Sequence, residues 1–113
     1  MPGISIHVVD VSRGVVATGM RVELHRRDAL VAGGQIGASG LLEHRALKER
    51  FAEGAYRAVF YVAEYYKKAG VALPTRPFLD VVHYDFAIDQ PEQHYHLPFK
   101  CTPWGYSCFR GGA

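Results

Sequence analysis

The stretch that decides the fold reads QHYHLPFKCT and covers residues 93–102. Apolar and polar residues alternate along it, and a period of two places successive side chains on opposite faces of an extended strand. One face carries Tyr95, Leu97, Phe99 and Cys101. The other face carries His94, His96, Pro98 and Lys100. The stretch therefore predicts a strand with one side packed on a core and the other facing solvent or a site.

The same alternation recurs along most of the chain. It predicts further strands at residues 4–9, 20–26, 30–35, 56–61, 78–88 and 106–110. The stretch VAEYYKKA, residues 62–69, loses the alternation and stops at Gly70, so it predicts one short helix. Residues 41–51 predict a short strand followed by a helical turn. The pair Gly33-Gly34 predicts weakened pairing or a bulge.

These elements predict an all-β fold, an antiparallel β-sandwich of seven to eight strands with one short helix. The length of 113 residues suits a single domain over residues 1–113. A net charge of +2 is too small for nucleic-acid binding, and no apolar run is long enough for a transmembrane helix. The first residues lack the pattern of a secretory signal, which favours a cytoplasmic protein. Two cysteines, Cys101 and Cys108, are too few for a disulfide framework.

Histidine is the residue type that points to chemistry. Of the six histidines, His94 and His96 stand out because they share one strand face away from the core. His7 lies off the apolar face of the first strand in the same way. A neutral imidazole accepts a proton from water near pH 7, so these side chains are candidates for general acid–base work.

A His-x-His pair is also a metal-binding pattern, which His7 or His83 would complete. No carboxylate shares the face of His94 and His96, however, and the ammonium of Lys100 opposes a cation there. The sequence therefore predicts neither a metal site nor a cofactor.

Three segments together resemble the transthyretin-like proteins, whose enzyme branch is 5-hydroxyisourate hydrolase. The segment ISIHVVD followed by SRG, within residues 4–14, resembles the opening of that family. The segments GAYR and EYY, within residues 54–66, are similar to its middle strand and short helix. The segments HYHLP, TPWGYS and FRGG, within residues 94–112, resemble its C-terminal hairpin and final tetrapeptide.

The resemblance implies a homotetramer, a dimer of dimers, with active sites in the channel between dimers. It implies a hydrolase without a cofactor that opens the ring of 5-hydroxyisourate in urate catabolism: water adds to a ring carbonyl and an amide C–N bond breaks. His7 and His96 match the two active-site histidines, which would activate water and shuttle a proton. The substrate-binding set that we expect comprises Arg110, from the terminal tetrapeptide, with Ser107, Phe109 and His94.

The chain departs from the enzyme pattern in three places. The enzymes carry a substrate-binding arginine before a leucine pair, and we assign that position to Ala38. Phe109 and Gly112 replace a tyrosine and a serine, which removes two hydroxyl groups. Lys100 replaces a leucine on the face of His96, so we expect it to line the site as a base or a Schiff-base nucleophile.

Three hypotheses follow. The first is a 5-hydroxyisourate hydrolase with a rearranged anion site, and it is preferred because both site histidines are present. The second is the same fold acting on a different small heterocyclic or carbonyl substrate, as in a specialised biosynthetic pathway. The third is a non-enzymatic tetramer that binds a hydrophobic small molecule, which is disfavoured because a carrier does not need paired imidazoles. The missing arginine separates the first two hypotheses.

Overall fold

A computed structural model describes residues 2–112. Within them the strands are β1 (Gly3–Asp10), β2 (Val15–Val16), β3 (Arg21–Arg26), β4 (Ala29–Gln35), β5 (Gly54–Tyr61), β6 (Val81–Ile88), β7 (His94–Thr102) and β8 (Gly105–Cys108). The helix α1 (Val62–Lys68) follows β5 directly, and a 3-10 turn lies at Arg45–Lys48. The strand ends agree with the predicted ones or differ from them by at most three residues, and β2 was not predicted.

The strands form two four-stranded sheets that pack face to face. The first sheet has the order β2-β1-β7-β8 and the second has the order β4-β3-β5-β6. These features confirm the predicted β-sandwich with one short helix. One strand pair differs from a purely antiparallel arrangement, because β1 and β7 run parallel. Parallel neighbours need a long connection, and here all of the second sheet lies between them in the chain.

The core lies between the sheets, and burial alternates along the strands as predicted. In β7 the buried side chains are Tyr95, Leu97, Phe99 and Cys101, and in β1 they are Ile4, Ile6 and Val8. Phe60 of β5 stacks on Phe99 of β7 with 3.8 Å between ring centroids, which joins the two sheets. Burying each such ring contributes about 1.5–3 kcal/mol.

The helix α1 anchors the end of β1 through a buried carboxylate. Asp10 is fully buried. The hydroxyl of Tyr66 donates to its Oδ1 at 2.7 Å, and that of Tyr65 donates to its Oδ2 at 3.0 Å. The helix ends before Gly70, whose φ of +80° favours glycine. No helix within residues 2–112 is long and apolar enough to span a membrane.

The bulge in β4 lies away from the predicted glycine pair. Gly33 and Gly34 pair regularly with β3, and the register shifts instead where Val31 is the extra residue. The glycine pair has a packing role: a Cβ on Gly34 would lie 3.4 Å from Cδ1 of Leu42. Leu42 therefore packs directly against the backbone of Gly34.

Residues 41–51 form less regular structure than predicted. Leu41 makes a single antiparallel bridge to His7, and Leu42 makes one to Ile36. The ring of His44 then accepts a hydrogen bond from the amide of Ala46 at 3.1 Å and caps the 3-10 turn. This segment thereby runs along the first half of β1 at the edge of the sheet.

Candidate functional site

The side of β1 and β7 that points away from the core, here called the outer face, brings the predicted site histidines together. The parallel register sets Ser5 beside His96 and His7 beside Pro98. Paired residues in a sheet carry their side chains on the same face, so these four side chains surround one spot on the outer face. All four are partly exposed, and they are reachable from solvent.

Ser5 connects two imidazole rings. Its Oγ lies 2.6 Å from Nδ1 of His96 and 2.8 Å from Nε2 of His94. A serine hydroxyl donates one hydrogen and accepts others. One imidazole nitrogen therefore receives the serine proton, and the other donates its own proton to Oγ.

The carbonyl of Pro2 determines which atom donates in each of the hydrogen bonds that link His94, Ser5 and His96. It lies 3.4 Å from Nδ1 of His94, and because a carbonyl only accepts, that nitrogen carries a proton. In neutral His94 the Nε2 atom then accepts from Ser5, and Ser5 accepts from Nδ1–H of His96. The Nε2 atom of His96 is left without a proton, which is the state required of a general base.

The environment keeps His96 neutral. Its partial burial lowers its pKa, and repulsion from His7 and His94 lowers that pKa further. The lowered pKa favours the neutral imidazole, which is the form that accepts a proton.

His7 is held by the loop that follows β4. Its Nε2 atom donates to the carbonyl oxygen of Ser39 at 3.2 Å, which leaves Nδ1 as the acceptor of the neutral ring. Gly40 allows this contact: its φ is +86°, and a Cβ there would lie 2.5 Å from Nε2 of His7. A side chain at this position would displace the imidazole.

Leu41, rather than Ala38, occupies the position beside His7 from which an arginine would reach the histidines. Leu41 bridges His7 on the outer face, whereas Ala38 is exposed in the turn before it. The residue of this segment that lies beside His7 is therefore Leu41, and the assignment of the missing arginine to Ala38 stays a prediction. The turn at Gly40, with its positive φ, shifts which residue faces the site, and residue counting alone does not reveal this.

The C-terminal segment borders the site on the other side. The amide of Gly111 donates to the carbonyl of His96 at 2.7 Å. A Cβ on Gly111 would lie 2.6 Å from Cδ2 of His96, so glycine is needed for the imidazole to sit there. Alternation places Phe109 and Ser107 on the outer face with Gly111. Phe109 and Leu41 therefore flank the histidines on opposite sides.

Lys100 does not contact either predicted catalytic histidine within one chain. It is exposed, the register sets it beside Val9 and Ser107, and its Nζ lies 5.9 Å from the ring centroid of Phe109. Lys100 shares the outer face with His96 as predicted, but four residues of strand separate them by about 13 Å. The predicted close grouping of Lys100 with both histidines is not formed by a single chain.

Arg110 likewise makes no contact with the rings of His7 and His96. Its guanidinium stacks on the ring of Tyr95 with 3.9 Å from Cζ to the ring centroid. It donates to the side chain of Gln93 at 2.9 Å and to the carbonyl of His94 at 3.2 Å. Tyr95 faces the core side of β7, so Arg110 points away from His96 in the single chain.

The histidines do not form a metal site. Within residues 2–112 no three histidine, cysteine, aspartate or glutamate side chains converge on a point where an ion could be held. His83, considered as a possible third ligand, lies on β6 in the second sheet, where its ring is 3.4 Å from Arg57. Ser5 engages one nitrogen of each of the other two rings, Nε2 of His94 and Nδ1 of His96.

Sequence reasoning missed two residues of this site. The period of two sets Ser5 on the face of His7, but its contact with His96 depends on the pairing of β1 with β7. Leu41 becomes visible only through its bridge to His7. The signal for Ser5 was the period of two, which already put a hydroxyl and an imidazole on one face.

Comparison with known proteins points to one family. The sequence profile of the HIUase/Transthyretin family matches residues 4–111. A 5-hydroxyisourate hydrolase from Deinococcus radiodurans is 38% identical, covering 97% of this chain and 96% of that protein. The 5-hydroxyisourate hydrolase of Caulobacter vibrioides is 36% identical, covering 98% and 99%.

Solved structures show the same fold. The Klebsiella pneumoniae 5-hydroxyisourate hydrolase superposes with a TM-score of 0.83 at 29% identity, covering 99% of this chain and 100% of that chain. A structure of (S)-allantoin synthase superposes with a TM-score of 0.90 at 36% identity, and this chain spans 43% of its length. The fold, the paired histidines of the outer face and these relatives together show that the chain belongs to the HIUase/transthyretin family.

Proposed function

We propose that this chain is a 5-hydroxyisourate hydrolase, in which His7 and His96 are the catalytic residues. The observation that carries the proposal is the linked array of His94, Ser5 and His96 beside His7 on the outer face. The array leaves an unprotonated imidazole nitrogen on an accessible surface. The full-length relatives with this name, at 38% and 36% identity, supply the substrate.

The reaction needs a base for water and an acid for the leaving nitrogen. Nε2 of His96 takes a proton from the attacking water while the water oxygen bonds to the ring carbonyl carbon. The tetrahedral intermediate then collapses, the ring C–N bond breaks, and the nitrogen leaves with that proton from the imidazolium. Ser5 and His94 are positioning residues, because they hold His96 in the tautomer with a free Nε2.

His7 stands across from His96 and faces the same intermediate. Its Nε2–H is engaged by Ser39, so its Nδ1 atom is free to accept a proton or to be protonated. We assign to His7 the relay of that same proton: its free Nδ1 atom takes the proton from the His96 imidazolium and passes it to the departing nitrogen. Such general acid–base steps each contribute about 10²–10⁴-fold to a rate.

The hydrolysis of freshly generated 5-hydroxyisourate, followed against its spontaneous decay, tests this proposal. His96→Gln is expected to lower kcat/KM by about 10²-fold or more. Ser5→Ala is expected to lower kcat and to alter the pH profile, whereas Ser5→Thr retains the hydroxyl and restores both. The matched control is His83→Gln on the second sheet, which should leave the activity unchanged. Native protein no faster than spontaneous decay would refute the proposal.

The side chain beside His7 is the apolar Leu41, so it supplies no positive charge to a developing oxyanion. A preorganised charge at a developing oxyanion is worth about 10²–10³-fold in kcat. Leu41→Arg is therefore expected to raise hydrolysis of 5-hydroxyisourate, whereas Ala38→Arg, in the exposed turn, is expected to have little effect. Equal effects of the two variants would contradict the placement of Leu41.

Lys100 has no contact with the histidines that would support Schiff-base chemistry. We therefore expect Lys100→Leu to change kcat/KM by less than about threefold, since an exposed group not touching the reacting atoms contributes little. Borohydride reduction during turnover is expected to trap no adduct on Lys100. A trapped adduct would show that another chain of the assembly brings Lys100 to the substrate.

We propose that the chain works as a homotetramer, a dimer of dimers. The supporting observations are the partly exposed outer face and the edge strand β8, in which Tyr106 is 48% exposed, together with Trp104 in the turn before it, which is 60% exposed. Unpaired strand edges and exposed aromatic clusters favour association. Sedimentation that shows a monomer at every concentration would refute this.

The cytoplasmic location remains a prediction from the sequence.

A further inference from the structure

An apolar cleft of about 490 Å³ adjoins the histidine array. It lies between the start of β1 and the segment that carries the 3-10 turn. Its apolar lining comprises Pro2, Ile4, Leu41, Leu42 and Leu47. The volume lies within the range of small-molecule sites, about 300–1,000 Å³.

The cleft is continuous with the proposed active site. Ser5 and His94 line one end of it, and the same Ser5 hydroxyl lies 2.6 Å from His96. Leu41 lines the cleft and also bridges His7. A molecule that reacts at the two catalytic histidines therefore has the cleft directly beside it.

The polar side chains that line the cleft offer no net charge with which to bind a charged ligand. Glu43 and Lys48 carry opposite charges on its lining, so they offer no net charge. The Nδ1 atom of His44 is occupied by the amide of Ala46. The remaining polar atoms belong to Ser5 and His94 at the end next to the site. The cleft therefore suits a ligand with a polar ring at that end and an apolar group at the other.

We propose that this cleft is a subsite for an apolar substituent on the substrate ring, so that ring-alkylated relatives of 5-hydroxyisourate are hydrolysed in preference to the unsubstituted compound. The proposal rests on the proposed hydrolase function for its reaction. Its recognition element is independent of that reaction, because Leu41, Leu42 and Leu47 bind by burial of apolar surface alone. Each added methylene group is then expected to raise affinity about three- to fourfold.

Binding of stable heterocycles tests the subsite without turnover. The probes are N-methyl-, N-ethyl- and N-propylxanthine, bicyclic amides that carry the alkyl series, and their affinity is measured by titration calorimetry. The native protein is expected to bind each successive probe about three- to fourfold more tightly. Leu41→Asn is expected to reduce this increment to less than about twofold. The matched control Leu30→Asn, an exposed leucine on β4 that is 59% exposed, should leave the increment unchanged.

The outcomes separate the subsite from the proposed function. A flat or falling affinity series in the native protein overturns the subsite, whether or not 5-hydroxyisourate is hydrolysed. An equal effect of Leu30→Asn and Leu41→Asn overturns it as well. A flat series together with dissociation of the Leu41→Asn assembly in sedimentation means that a second copy of the chain fills the cleft, which also overturns it.

Hydrolysis of the substituted substrates completes the test. The N-methyl and N-ethyl derivatives of 5-hydroxyisourate are generated in place by oxidation of the corresponding urates. We expect kcat/KM to rise about threefold or more from the parent compound to the ethyl derivative. A rising affinity series with no hydrolysis of 5-hydroxyisourate or of any derivative overturns the proposed function and leaves the subsite intact. A rising affinity series with kcat/KM highest for the parent overturns the stated preference.

Discussion

Replacing the buried carboxylate Asp10 by asparagine is expected to destabilise the fold by about 2–4 kcal/mol at neutral pH. Asp10 is 0% exposed and accepts hydrogen bonds from Ser12 and Tyr66 at Oδ1 and from Tyr65 at Oδ2. Asparagine keeps one oxygen, but its amide group would point hydrogens at the hydroxyl of Tyr65. A lost hydrogen bond to a charged group costs about 1.5–3 kcal/mol, and an unpaired buried donor adds to that.

The loss is expected to depend on pH in a direction that follows from the hydrogen bonds. Burial alone would raise the pKa of Asp10, but hydrogen bonds from Ser12, Tyr66, Tyr65 and the amide of Arg13 outweigh it and hold that pKa below its usual value. Such a group contributes stability that is present above its unfolded pKa of about 3.9. That stability is lost as the pH falls through the lower folded pKa. The difference between native protein and Asp10→Asn should therefore narrow below about pH 4.

Urea unfolding at one fixed protein concentration, followed by far-ultraviolet circular dichroism, measures this difference. The series is recorded near pH 7, pH 5 and pH 3.5. The control Asp85→Asn removes a carboxylate whose side chain is 67% exposed and paired with Arg57, and it should change stability much less. A cost for Asp10→Asn below about 1 kcal/mol at pH 7 would refute the reasoning. An equal cost at pH 7 and pH 3.5 would refute the pKa argument.

Two further predictions concern the imidazoles of the outer face. Gly111→Ala is expected to lower kcat/KM about tenfold or more, because its Cβ would lie 2.6 Å from Cδ2 of His96 and small displacements of a reacting group are costly. The control Gly112→Ala, with no atom within 4 Å of its Cβ, should leave kcat/KM unchanged in the same steady-state assay. His7→Gln is expected to raise the pKa of His96, because burial and repulsion from His7 both lower it in the native protein. Titration of the His96 ring by nuclear magnetic resonance measures this pKa, and an unchanged or lower value would contradict the proximity of the two rings.

The parts of the site that depend on local geometry could be predicted from the sequence. The period of two fixes which side chains of one strand share a face, because the backbone alternates regardless of what packs against it. That rule correctly placed His96 opposite Leu97 and His7 opposite Ile6. It also placed the helix at residues 62–69, where the alternation stops.

The parts that depend on distant pairing could not be predicted. Ser5 meets His96 only because β1 and β7 become parallel neighbours, and no local pattern encodes that choice. Leu41 faces the site, and Ala38 does not, because Gly40 turns the chain with a positive φ. Counting residues through such a turn does not show which side chain faces the site.

The burial of Asp10 could have been predicted from the sequence. Asp10 has the same parity as Ile4, Ile6 and Val8, so alternation alone points its carboxylate into the core. A carboxylate there needs donors. Adjacent tyrosines on the short helix supply them in the structure. A polar residue at a core position should prompt a search for its partners elsewhere in the chain.

The open outer face leads to a last prediction, that activity depends on assembly. In the single chain, Leu41 and Phe109 flank the histidines, but His7 and His96 remain partly exposed. An imidazole in contact with bulk water works in a high dielectric, where a developing charge is weakly stabilised by its surroundings. A second copy packed on this face would exclude water and strengthen every interaction with the intermediate. Specific activity should therefore fall on dilution in parallel with dissociation measured by sedimentation. Specific activity that stays constant while the assembly dissociates would show that one chain holds a complete site.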